Sequence, residues 1–82
     1  MNGSSAWRDV KYTEVFEQEL RGLERLRNFD SSCTVNDLVK VLDNLYIMDG
    51  AEGSSDLQNT VMAATIAAHE HFIAQWKSEI KR

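Results

Sequence analysis

Eighty-two residues make one domain, near the lower limit at which a chain buries a self-sufficient core. Apolar residues at 43% and charged residues at 27% exclude the low-hydrophobicity composition of a disordered chain. The net charge of −4 argues against direct nucleic-acid binding, which calls for clustered Lys and Arg against the phosphate backbone.

Residues 1–8 read as a flexible N-terminal tail. Met1 to Ser5 has neither the basic start nor the apolar run of a secretion signal. From Asp9 to Asn28 the pattern is helical, with Tyr12, Val15, Phe16, Leu20, Leu23 and Leu26 recurring on one face at spacings of three and four. Glu17 stands four residues before Arg21 on the other face, a favourable helical pairing. Gly22 borders the apolar face, where it costs about 1 kcal/mol of helix propensity against Ala and is expected to permit a close helix crossing. The sequence has no proline, so nothing forces a break.

Asp30 to Cys33 reads as a turn, and Thr34 with Asp37 as an N-cap followed by an imperfect capping box. Cys33 and Leu38 occupy the positions of a hydrophobic staple. The second helix, residues 35–48, turns Val35, Leu38, Val39, Leu42, Leu45 and Tyr46 inward and Asn36, Asp37, Lys40, Asp43 and Asn44 to water. Ile47 falls on the polar side. Asp49 to Ser54 is a loop with two glycines. Ser55 and Gln58 form a capping box that opens a third helix over 56–80. Residues 9–82 are therefore expected to form a single all-α domain, a three-helix up-down-up bundle with the third helix longest.

That third helix carries an unusually broad apolar surface. Leu57, Val61, Ala64, Ala68, Phe72 and Trp76 share one arc, which Met62, Ile66, Ile73 and Ile80 widen to roughly 200°. Its length of about 37 Å exceeds the roughly 30 and 21 Å of the other two helices. Trp76 and Ile80 are thus expected to lack cover within the chain. Either Trp7 and Val10 fold back over them or a second molecule does, since oligomerisation commonly completes a core of this size.

Candidate chemistry is sparse. His69 and His71 are two apart and point to different sides of a helix. The His-Glu-x-x-His spacing is absent, no ligand set is visible, and no metal or cofactor is expected. Cys33, the only cysteine, excludes an internal disulfide and fits a reducing, cytoplasmic setting. At a staple position it reads as a packing residue rather than a nucleophile. The chain lacks a phosphate loop, a nucleotide fingerprint and a nucleophile elbow. No membrane association is expected, because no window approaches about 18 apolar residues. The notable polar feature is a buried pair. Glu19 lies mid-way along the first helix's apolar face and His69 mid-way along the third's, and parallel packing of the two helices sets Glu19 level with about residue 65, within roughly 6 Å of His69 along the axis.

The expected function is therefore that of a non-enzymatic, small acidic protein–protein interaction module. It is expected to self-associate through the long C-terminal helix, with Ile66, Ile73, Trp76 and Ile80 as contact residues, each of which also has a plain core reading. One alternative is an acidic inhibitor or decoy covering a basic nucleic-acid-binding site on a target, with Asp43, Asp49, Glu52 and Asp56 lined up on one surface. Another is a small enzyme or ligand-binding site using Glu19 and His69, which requires a concave pocket between the helices.

Overall fold

The computed structural model describes residues 3–49 and 56–80, with side chains from Ala6 to Met48 and from Asp56 to Ile80. It contains three helices: α1, Gly3–Phe29; α2, Val35–Asp49; and α3, Asp56–Ile80. The all-α, three-helix bundle is the architecture the periodicity implies. The loop over 50–55 and the Ser55 half of the capping box lie outside the described residues.

The start of α1 differs from expectation. The helix begins six residues before Asp9, so residues 3–8, read as tail, are helical. Arg8 explains what the extension achieves. Its guanidinium reaches Asp56 at the start of α3, at 2.7 Å, and lies 5.7 Å from the centroid of the Trp7 ring. With 27 residues α1 is two longer than the 25-residue α3, which reverses the expected order of those two lengths.

The turn between α1 and α2 follows its sequence closely. The Asp30 amide donates to the Leu26 carbonyl at 2.9 Å, closing α1. The Asp30 carboxylate then accepts from the amide and hydroxyl of Ser32 at 3.0 and 2.6 Å. Those two bonds hold its carboxyl below the usual Asp value. Thr34 accepts from the Asp37 amide at 3.2 Å while Asp37 accepts from the Thr34 amide at 3.0 Å. The capping box forms reciprocally, with Asp in the place of the usual Glu.

Two ion pairs set the direction of the bundle. Arg8 meets Asp56 near the helix starts, and Arg27 meets Glu79 near the ends at 2.7 Å, so α1 and α3 run parallel. α2 returns antiparallel. Leu23, Leu38, Phe72 and Ile73 form a buried cluster, against which Leu20, Cys33, Val35, Val39, Leu42 and Trp76 pack. Farther along α2, the Tyr46 hydroxyl donates to the Glu70 carboxylate. Among the described residues α1 and α2 each pack on α3, while their own backbones do not approach one another.

This placement corrects the expected shortage of cover at Trp76, while Ile80 stands exposed as expected. α2 starts beside the C-terminal part of α3, where Leu38 packs with Phe72 and Ile73. Trp76 is half-buried: Phe72 meets its ring edge-on at 5.9 Å, and the Arg27 guanidinium lies 4.4 Å from the ring centroid. Trp7 and Val10 are at the opposite end and cover neither Trp76 nor Ile80. Gly22 is exposed, and a Cβ there would meet nothing within 4 Å, so no helix of this chain crosses closely at that point.

Burial is shallow. Among the described residues only small side chains such as Ala64 and Ala68 are fully buried, and no large one is. The radius of gyration, 14.3 Å, exceeds the roughly 12 Å of a compact chain of this length. Leu38, buried at the centre of the cluster, is expected to lose about 2–4 kcal/mol of stability as Leu38→Ala. Ile47→Ala, at a site 74% exposed, is expected to stay within about 0.5 kcal/mol of the parent. Urea unfolding of the two variants, followed by circular dichroism, measures both.

Candidate functional site

The residues expected to meet a partner are mostly used inside the chain. Ile66 and Ile73 are buried, at 8% and 5% exposure. Trp76 is enclosed by Phe72 and Arg27. Only Ile80 of the four projects, 65% exposed. The broad apolar arc of α3 is covered on two sides because α3 sits between its neighbours, which is the core reading of Ile66 and Ile73.

Glu19 and His69 are level but unjoined. Their separation of 50 positions falls between the 48 and 52 of the two cross-helix ion pairs, so the register sets them closer than the expected offset of about one turn. His69 is buried, at 6% exposure, and Glu19 half-buried. Among the described residues no hydrogen bond or ion pair links them. His69 instead bonds within its own helix, through Nδ1 to the Thr65 carbonyl at 2.8 Å. A carbonyl oxygen only accepts, so Nδ1 carries a hydrogen. Thr65 repeats the arrangement one turn earlier, donating its hydroxyl to the Val61 carbonyl at 2.8 Å. Polar side chains on α3 thus take acceptors from the preceding turn and need none from α1. No buried side-chain nitrogen or oxygen among the described residues lacks a partner.

His71 is exposed and leans on Phe16, ring centroids 5.9 Å apart, and Phe16 stacks on Tyr12 at 6.3 Å. The two histidines occupy different surroundings, as their spacing implies. Among the described residues no group of three or more His, Cys, Asp and Glu side chains could hold a metal ion. Burial, with the negative charges of Asp37 and Asp30 nearby, pushes the Cys33 thiol up, which opposes the thiolate a nucleophile needs.

Among the described residues, two depressions between α1 and α3 are lined without Glu19 or His69. One is lined by Arg8, Asp9, Tyr12, Asp56, Asn59, Thr60 and Ala63, and there Arg8 and Asp56 already neutralise each other. Asp56 and Asp43 are both exposed, but the charge of Asp56 is neutralised by Arg8. The side chains of Asp49 and Glu52 lie outside the described residues.

The feature that sequence reasoning missed is the Tyr46–Glu70 contact. Tyr46 sits at the edge of the inward arc of α2, and an edge position leaves a phenol free to reach a neighbouring carboxylate. No described helix is long and apolar enough to cross a membrane. No protein-family model, curated protein or solved structure matches this chain.

The hydrogen bond to Glu70 is the largest cause of a Tyr46 pKa above the usual 10.0, with desolvation and the charges of Glu70 and Asp43 adding to it. Its contribution to stability is present below pH 10 and is lost as pH rises through the raised folded-state value. In a Tyr12→Phe background, ultraviolet titration is expected to give a phenol midpoint above that of free tyrosine. Glu70→Gln moves the midpoint back down.

Proposed function

We propose that this chain is a small, non-enzymatic helical interaction module that acts by self-association in the cytoplasm. The observation that carries the reading is the distribution of apolar side chains. Among the described residues eight hydrophobic residues are buried, two of them alanines, while eleven large ones are exposed. Single exposed apolar residues are ordinary on a protein surface. Here they outnumber the core, in which no large described side chain is fully buried, and such a core is commonly completed by association.

The contact differs in place from the one the sequence suggested. Ile66, Ile73 and Trp76 serve the interior, leaving Ile80 as the only one of those four exposed. The larger uncovered surfaces belong to α1, with Trp7, Val10 and Phe29, and to α2, with Val41, Ile47 and Met48. The acidic-decoy reading has less support, since Asp56 is held by Arg8.

Light scattering coupled to size exclusion, run over a range of concentrations, is expected to show a dimer. Ile80→Asp is expected to leave that mass unchanged, because the contact lies off the end of α3. A strict monomer at every concentration overturns the proposal.

A further inference from the structure

We draw no further inference here: the strongest candidate, the exposed apolar strip of α2 at Val41 and Met48, is an unpartnered helix face, and nothing in the structure shows what covers it.

Discussion

Among the described residues every close approach of helix backbones in this protein includes α3, and the closest burial on it is at Ala64 and Ala68, which expose nothing to solvent. A methyl side chain keeps little distance between helix axes, so a neighbour packs tightly there while Ile66, Phe72 and Ile73 fill the space on either side. The cost of this plan is that the backbones of α1 and α2 stay apart and share only the side-chain cluster that joins Leu23 and Leu38 to Phe72 and Ile73. Each leaves its remaining surface to water or to another molecule. The elongated shape and the lack of a large fully buried side chain follow from that single constraint.

With so small a core, the polar contacts at its margins fix position more than they add stability. Arg8–Asp56 and Arg27–Glu79 are exposed pairs, of a kind worth at most about 1 kcal/mol each. They nevertheless bracket the α1–α3 seam at its two ends and hold the parallel register. Arg27 has a second role, since its guanidinium also lies over the Trp76 ring. One side chain thereby pairs with a carboxylate and shields an indole, and its aliphatic stem covers apolar surface that a shorter residue would leave open.

Local chemistry was legible from the residues: Thr34 with Asp37 marked the start of α2, the turn at Asp30 closed α1, and the two histidines diverged by their spacing. Relations between helices were legible only in part. Periodicity says which way a side chain points, and with parallel packing it placed Glu19 about one turn from His69 along the axis. It does not say which acceptor a buried imidazole will choose, and the Thr65 carbonyl, one turn back on the same helix, was the nearer one. Coverage of Trp76 was misjudged for a related reason. Comparing helix lengths ignored that the short α1–α2 turn forces α2 to begin beside the end of α3. The extension of α1 to Gly3 was hidden because Ala6, Trp7 and Arg8 carry no cap or apolar period, and their anchor, Asp56, is remote in sequence.

Gly22 is unexplained by these contacts. A glycine in mid-helix costs about 1 kcal/mol against alanine, a noticeable fraction of the stability available to a chain this small. Inside the bundle nothing accounts for it, since a methyl group would fit without contact. The inner face of α1 is specified by shape, through Val15 and Leu23 against α3. Its outer face carries Glu14, Glu17, Arg21, Glu24 and Arg25, all exposed and of mixed sign, as a solvated helix face does.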